Sequence, residues 1–400
     1  MITGRDIIYI SSIEWDFLWQ AHQEIARRLA AAGNRVLYIE NTGVRTPGLR
    51  DTKRVAARLG RWMRSLKSGG TRQVGPNICV YSPLVLPPFG STWRRLINRH
   101  VFLRQLRRIT RAMQMRDVLL WTYLPTDTAV DIIRAHRTKR SCVVYYNAAN
   151  FSYLTPNSEQ LQRSEQELVR MSDVVLATCS EQAARFTVDN HNVRIFPPGV
   201  DMSAFAVESA ATSALPDRLN LSSLPRPIIG YVGGLHRFVD YDLLASMAQA
   251  RPSWSWVFLG AHQVPLEKLQ GLPNVYLLGQ QPHAELVGHL RFFDVCIVPY
   301  VNTSETTTLV PTKINEYLAA GKAIVATSLP TVCEFNEQHR VLTTTTAVAQ
   351  EFLRAIESEI LTAHDPQLRE KRRIVAALAD WQTRLEEISG FIEEILKLRS

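Results

Sequence analysis

Lys313 and Glu316 stand three residues apart in the stretch VPTKINEYLAAGKAIVAT, which runs from Val310 to Thr327. A helix beginning just after Pro311 puts both on one face. The run Val301-Asn-Thr-Ser-Glu-Thr-Thr-Thr308 leads into that helix with hydroxyls and amides, and a helix N-terminus carries a partial positive charge. A lysine in the first turn opposes the dipole and gains nothing structurally, so it makes sense where an anion such as a phosphate binds. Glu316, one turn deeper, suits hydrogen bonding to paired hydroxyls such as those of a ribose. The plain alternative is a surface ion pair worth roughly a few tenths of a kcal/mol.

Two further segments have the composition of ligand loops. Val232-Gly-Gly-Leu-His-Arg237 lies between a strand and a helix, and its paired glycines, Gly233 and Gly234, let backbone amides approach a phosphate. A purely structural turn is the competing reading. Leu278-Gly-Gln-Gln-Pro-His283 ends another strand, where Gly279 could edge a base or sugar.

Strands and helices alternate almost from end to end, and this alternation must position those residues. Strands are expected at Ile7–Ser11, Arg35–Glu40, Val118–Thr122, Ser141–Tyr146 and Val174–Cys179. The alternation restarts at Pro227, with strands at Trp256–Gly260, Val275–Gly279, Val295–Pro299 and Ala323–Thr327. Short apolar strands separated by helices indicate parallel sheets covered on both faces, with ligands outside the carboxyl ends of the strands. The expected fold class is α/β, with two doubly wound, Rossmann-like domains facing across a cleft. Residues 1–205 form the first domain, 206–226 a linker rich in Ser, Ala, Pro and Leu, and 227–380 the second. A C-terminal helix occupies 381–400.

The bulk numbers fit this plan. A 400-residue chain with 46% hydrophobic and 21% charged residues suits two ordinary cores and excludes wholesale disorder. No apolar run reaches the roughly 18 residues needed to span a bilayer, and Met1 is followed at once by strand. The five cysteines show no C-x-x-C pair and read as reduced core residues, so a cytoplasmic protein is expected. The net charge of +9 is concentrated between residues 50 and 116, which hold many arginines and almost no carboxylates. Such a field implies an anionic partner.

Within that block, Val55, Leu59, Met63 and Leu66 of segment 53–67 share one helical face, ringed by Arg54, Arg58, Arg61 and Lys67, with Trp62 at the boundary. Segment 93–111 repeats the theme with Leu96, Ile97, Leu103 and Leu106. This is the composition of helices lying in an anionic membrane interface. Packing of the same faces on their own domain is the alternative. No nucleic-acid motif accompanies the charge, so nucleic acid is not an expected partner.

Asp240-Tyr-Asp242 has the D-x-D form of a metal-binding motif, but it opens a helix, where aspartates cap free amides. The ten histidines show neither H-x-x-x-H nor H-E-x-x-H spacing, so no metal site is expected. On the first domain, Glu14 and Asp16 follow the first strand, and Asn147 and Asn150 follow the strand ending at Tyr146. All four are candidates to orient an acceptor hydroxyl, with solvated loop residues as the alternative.

The segment from Phe293-Asp-Val-Cys-Ile-Val-Pro-Tyr through Pro311-Thr-Lys-Ile-Asn-Glu-Tyr-Leu-Ala-Ala-Gly-Lys-Ala-Ile-Val resembles the nucleotide-sugar site of GT-B-fold glycosyltransferases, and most closely the retaining family-4 (group 1) class of bacterial envelope polysaccharide enzymes. The stretch Phe196–Phe205 resembles the hinge of the same class, and the C-terminal helix, by that likeness, crosses back to the first domain. The resemblance implies that Glu316 grips the donor ribose and Lys313 the diphosphate. Leu309 and Val310 would supply amides near phosphates and sugar, with Thr308, Thr312, Gly233, Gly234 and Gly279 lining the donor site. It further implies retention of anomeric configuration, no cofactor, no metal and a UDP- or GDP-sugar as co-substrate. Two positions depart from the family pattern. Thr308 stands where many members carry an acid eight residues before the ribose-binding one, and Glu305 is out of register. Gly234 occupies the usual arginine place, with Arg237 as a substitute cation. The expected function is therefore transfer of a sugar to a lipid-linked or polymeric saccharide acceptor in envelope polysaccharide biosynthesis, at the inner face of the membrane. Lys313, Glu316 and Arg237 would carry it. A silent membrane-binding scaffold or a nucleotide-sugar epimerase on the same fold is the alternative.

Overall fold

The computed structural model describes residues 1–17, 19–40, 70–83, 92–148, 158–205, 217–282 and 285–398. The basic segment 53–67, Asn150 and His283 lie outside the described residues. The chain divides into two compact units, Met1–Pro197 with Leu385–Ser400, and Pro198–Arg384. The division falls at Pro197–Pro198, inside the stretch read as a hinge and ahead of the expected boundary at 205. The two passages of chain are tied to each other just beyond it, by Val200 N–H to Ala379 O at 2.9 Å and Trp381 N–H to Val200 O at 3.0 Å. The helix Trp381–Lys397 begins in the second unit and contributes its length from Leu385 to the first.

The first unit is built on strands β1 (Asp6–Ile10), β2 (Arg35–Ile39), β3 (Thr71–Gly75), β4 (Ile78–Tyr81), β5 (Leu119–Thr122), β6 (Cys142–Asn147), β7 (Val174–Ala177) and β8 (Val193–Ile195). They form one sheet in the order β3-β4-β2-β1-β5-β6-β7-β8, parallel except for the antiparallel β3–β4 pair. Alternate residues of a strand face opposite ways. Ile8, Ile10, Leu37 and Leu120 pack with Phe102, Leu106, Val130, Ile133 and Leu168 from the helices Thr92–Ala112, Asp127–His136 and Ser158–Met171. Tyr9, on the other face, stacks its ring at 5.4 Å from Tyr38 and 6.0 Å from Trp121. The expected strands lie within about two residues of the observed ones. Four observed strands lie outside the expected ones: β3, the polar, partly exposed edge strand TRQVG; β4, a run of only four residues, ICVY; and the three-residue strands β8 and, in the second unit, Thr343–Thr345.

The second unit carries β9 (Ile228–Val232), β10 (Ser255–Leu259), β11 (Val275–Leu277), β12 (Val295–Val298), β13 (Ala323–Thr327) and β14 (Thr343–Thr345) in an all-parallel sheet of order β11-β10-β9-β12-β13-β14. Its buried strands IIGYV, VCIV and AIVAT are continuous apolar runs, as a sheet covered on both faces requires. Gly230, inside β9, leaves the space into which the Phe293 ring packs, and a Cβ there would collide with that ring.

At the amino end of β13, Lys322 Nζ donates to Arg291 O at 3.0 Å and Phe293 O at 2.8 Å. Burial pushes its ammonium down to about 8. A base whose folded pKa lies below its unfolded value of 10.5 loses its proton first in the folded state. Below pH 8 both states hold the proton and the burial penalty is in full force. Between about pH 8 and 10.5 the unfolded chain binds more protons, so stability rises with pH. Urea unfolding at pH 7 to 10 should show a smaller rise across this window for Lys322→Met than for wild type. Parallel pH curves for the two proteins would remove Lys322 as the source.

Candidate functional site

The order of the second sheet reverses between β9 and β12, the point at which loops leaving the carboxyl ends of such sheets diverge. The turn after β9, the loop after β12 and the helix Lys313–Ala319 meet there. This helix spans 7 residues, and Lys313 is its first.

Lys313 is only 7% exposed. Its Nζ donates to Tyr300 Oη at 2.5 Å and lies 5.0 and 5.2 Å from the ring centroids of Tyr231 and Tyr300. Among the described residues no carboxylate forms an ion pair with it. A buried ammonium solvated by a hydroxyl and two ring faces, without a counter-charge, is an arrangement into which an anion fits. Gly233 is essential to it. Its φ is +140°, and a Cβ there would stand 2.6 Å from Lys313 Cε and 2.9 Å from Nζ. Glycine alone serves both the backbone angle and the close approach. The same helix fixes the strand end through Tyr317, whose buried Oη accepts the Val232 N–H at 2.8 Å. Glu316 sits one turn along from Lys313, partly exposed.

Arg237, expected as a substitute phosphate cation, is engaged within the protein. Its guanidinium pairs with Glu305 at 2.5 Å and lies 4.6 Å from the Phe238 ring centroid. The pair links the turn after β9 to the loop after β12. Gly234 is crowded by Gln263 Nε2, 2.5 Å from where a Cβ would be, and its carbonyl accepts from Tyr231 Oη at 3.0 Å. Gly279 has φ +69° and accepts the Gly260 N–H at 2.8 Å, beside the same strand ends.

The hydroxyl-rich loop is partly occupied with its own folding. Thr306 Oγ1 donates to Val301 O at 2.8 Å and accepts the Thr303 N–H at 2.9 Å. The Leu309 amide donates to Thr306 O at 3.1 Å, so this amide closes the turn. Thr308 is buried, Val310 partly exposed and Thr312 exposed at the helix start.

Two residues that the sequence left without a role belong to this site. Tyr300, just past the expected strand Val295–Pro299, receives Lys313, and His236, in the Gly-Gly turn, has its Nε2 3.5 Å from Tyr300 Oη. Burial first, then the positive charges of Lys313 and Arg237, hold His236 down to about 4. No local pattern announces either, since Tyr300 meets Lys313 13 residues on and His236 64 residues back.

In the first unit, Asp16 pairs with Arg72 at 2.7 Å, and Arg72 also reaches Glu40 at 3.3 Å. Glu40 accepts the Trp15 N–H at 3.0 Å and Ser82 Oγ–H at 2.6 Å, so the loop holding Glu14 and Asp16 is strapped down. Asn147 is 1% exposed and donates to Tyr145 Oη at 2.8 Å and Glu165 Oε1 at 2.9 Å. It is the last residue of β6, and it is buried. Asp240 caps its helix by accepting the Leu243 N–H at 2.9 Å, and Asp242 pairs with Lys268 at 2.6 Å. Among the described residues no group of three or more His, Cys, Asp or Glu side chains is placed to hold a metal ion.

Residues 226–360 match the family described as Glycosyl transferases group 1. The chain is 25% identical over 241 residues to TuaH of Bacillus subtilis (strain 168), which bears the provisional name of a teichuronic acid biosynthesis glycosyltransferase. That match covers 58% of this chain and spans 59% of the relative's length. Among solved structures, sucrose-phosphate synthase from Thermosynechococcus elongatus aligns with a TM-score of 0.69 and 15% identity, covering 98% of this chain and 100% of its own. Anabaena Alr3699/HepE in complex with UDP aligns at 0.67 with 14% identity, over 98% of this chain and 100% of its own. WaaG, a glycosyltransferase of lipopolysaccharide biosynthesis, aligns at 0.64 with 12% identity, over 96% of this chain and 99% of its own.

Removing the buried cation separates its binding role from its structural one. Lys313→Met takes away a desolvated charge, so the urea midpoint should stay or rise. Affinity for a diphosphate, measured by calorimetry with inorganic pyrophosphate, should fall by about ten- to a hundredfold, the worth of a hydrogen bond to a charged group. Unchanged pyrophosphate affinity would exclude Lys313 as the anion contact.

Proposed function

We propose that this chain, whose residues 226–360 match the group 1 glycosyltransferases, is a GT-B-fold enzyme that transfers a sugar from a UDP- or GDP-sugar to a lipid-linked or polymeric saccharide acceptor. The reaction belongs to cell-envelope polysaccharide biosynthesis. The observation that carries this reading is the buried Lys313 ammonium, without a carboxylate partner among the described residues, set against the glycine turn after β9.

In this reading Lys313 takes the donor diphosphate and stabilises the negative charge that grows as the sugar–phosphate bond breaks. A fixed cation in a water-poor site does this with little reorganisation. Glu316 accepts hydrogen bonds from the ribose hydroxyls, and Gly233 lets the turn approach the phosphates. The acceptor hydroxyl attacks from the face that the diphosphate leaves, and a phosphate oxygen takes its proton, so anomeric configuration is retained. The chain supplies position and electrostatics with neither metal nor protein general base. Glu14, Asp16, Asn147 and Asn150 are proposed acceptor contacts of the first unit. The Arg237–Glu305 pair would open for Arg237 to reach phosphate. A silent scaffold on the same fold is the second reading, favoured by that pairing and by Thr308 in the place of an acid.

The proposed location is the cytoplasmic face of the membrane, held peripherally. No helix of the described residues is long and apolar enough to cross a membrane. The helix Thr92–Ala112 supports surface attachment. Its second half packs inward through Phe102, Leu103 and Leu106, while Trp93 (56% exposed), Leu96 (54%), Ile97 (43%) and Val101 (55%) face solvent. The helix has no acidic residue, and Arg99, His100, Leu103, Arg104 and Arg107 line a cavity of about 320 Å³ beside this stripe.

Thermal unfolding with a panel of nucleoside diphosphates tests the donor site. A ligand at a hundred times its Kd stabilises by about 2.7 kcal/mol. One base should give that shift with wild type and lose it with Glu316→Ala. A wild-type protein indifferent to every diphosphate would sink the donor assignment, whereas binding without sugar transfer to any acceptor extract would favour the scaffold. Separately, cosedimentation with phosphatidylglycerol vesicles should exceed that with phosphatidylcholine, and Leu96→Ser with Ile97→Ser should weaken it by about tenfold or more. Equal sedimentation of wild type and variant would detach this helix from the membrane.

A further inference from the structure

We propose that His236 is a phosphate ligand of the same site, its Nε2–H donating to an oxygen of the bound diphosphate alongside Lys313. The inference rests on the donor reading above and adds a contact that neither the glycine turn nor the lysine supplies.

The tautomer is fixed by the backbone. His236 Nδ1 accepts the Phe238 N–H at 3.2 Å, so in the neutral ring the proton resides on Nε2. The ring is held edge-on to Phe238 at 5.6 Å and to Tyr300 at 5.4 Å, while the His236 carbonyl takes Tyr241 Oη at 3.0 Å. Imidazole direction is thus set by packing and by both of its flanks.

Nε2–H points at the place where Lys313 ends. It stands 3.5 Å from Tyr300 Oη, too far for a good hydrogen bond, and that oxygen already accepts Lys313 Nζ at 2.5 Å. Two donors of different charge therefore converge on one oxygen, the ammonium at hydrogen-bond distance and the imidazole just beyond it. His236 is partly exposed, so a ligand can reach it. An oxyanion entering beside Tyr300 would complete the bond that the phenol leaves long.

Neutrality suits the task. The charged and titratable groups around the ring are Lys313, Arg237 with its partner Glu305, Tyr231, Tyr241 and Tyr300. A second cation beside Lys313 would repel it in the free protein, while a neutral N–H donor adds a phosphate contact without that penalty. Burial and the two nearby positive charges keep the ring neutral at physiological pH.

Two conservative variants isolate the Nε2 donor. His236→Asn keeps an acceptor for the Phe238 amide and lacks a donor that reaches Nε2's position; His236→Gln restores an N–H at that reach. Calorimetry on the full-length protein would use the nucleoside diphosphate that shifts wild-type unfolding, the matching monophosphate and the nucleoside. His236→Asn should bind the diphosphate about tenfold or more weaker, with the nucleoside unchanged, and His236→Gln should stay within about threefold of wild type. Equal diphosphate affinity of His236→Asn and wild type would overturn the proposal. So would equal losses for nucleoside and diphosphate, which would mark a structural role. Absence of diphosphate binding by wild type is a different outcome, because it removes the donor reading itself.

Discussion

The second unit is organised around one desolvated ammonium. Burying an isolated charge costs several kcal/mol unless it is solvated from within. Lys313 is solvated by the Tyr300 hydroxyl at 2.5 Å and by the faces of Tyr231 and Tyr300. Buried cation–π contacts of this kind contribute about 2 kcal/mol. Each of the supporting residues comes from a different strand end, so the cation's place depends on β9, β12 and the short helix all being in register. The glycines follow from the same requirement. Gly233 clears the lysine stem, and Gly260 clears the Gly233 carbonyl in turn. Tyr317 then ties the helix back to Val232 and closes the ring of constraints.

Around that fixed charge the remaining polar groups are graded in how committed they are. Thr306 and the Leu309 amide are consumed by the loop's own turn. Arg237 and Glu305 hold each other on the surface, where an ion pair is worth little and can be exchanged for a ligand. His236 is neutral and its outer nitrogen weakly engaged. Such a gradient suits a site that must be rigid at its floor and adjustable at its rim.

The first unit spends its polar groups on rigidity. Arg72, Glu40, Asp16 and Ser82 strap the loop after β1, and Asn147 is drawn into a buried network with Tyr145 and Glu165. Its cationic surface is of another kind from the buried lysine. On the helix Thr92–Ala112, arginines flank an exposed apolar stripe, so charge and hydrophobic area act together at the surface.

The amino-acid sequence determined the two parallel sheets, because buried strands such as IIGYV and AIVAT are continuous apolar runs between amphipathic helices. It also determined that Lys313 and Glu316 share a helix face and that Asp240 caps a helix, since both are facts of local spacing. The edge hairpin β3–β4 escaped it, because β3 is polar and β4 is an apolar run of only four residues. So did the partners of each site residue. Tyr300 under Lys313, His236 beside Tyr300, Glu305 across from Arg237 and the burial of Asn147 were decided by tertiary structure. The physical reason is that a charge's meaning depends on what surrounds it. Sequence spacing places a lysine on a helix, but only the packing of distant strand ends buries it and decides that no carboxylate among the described residues pairs with it.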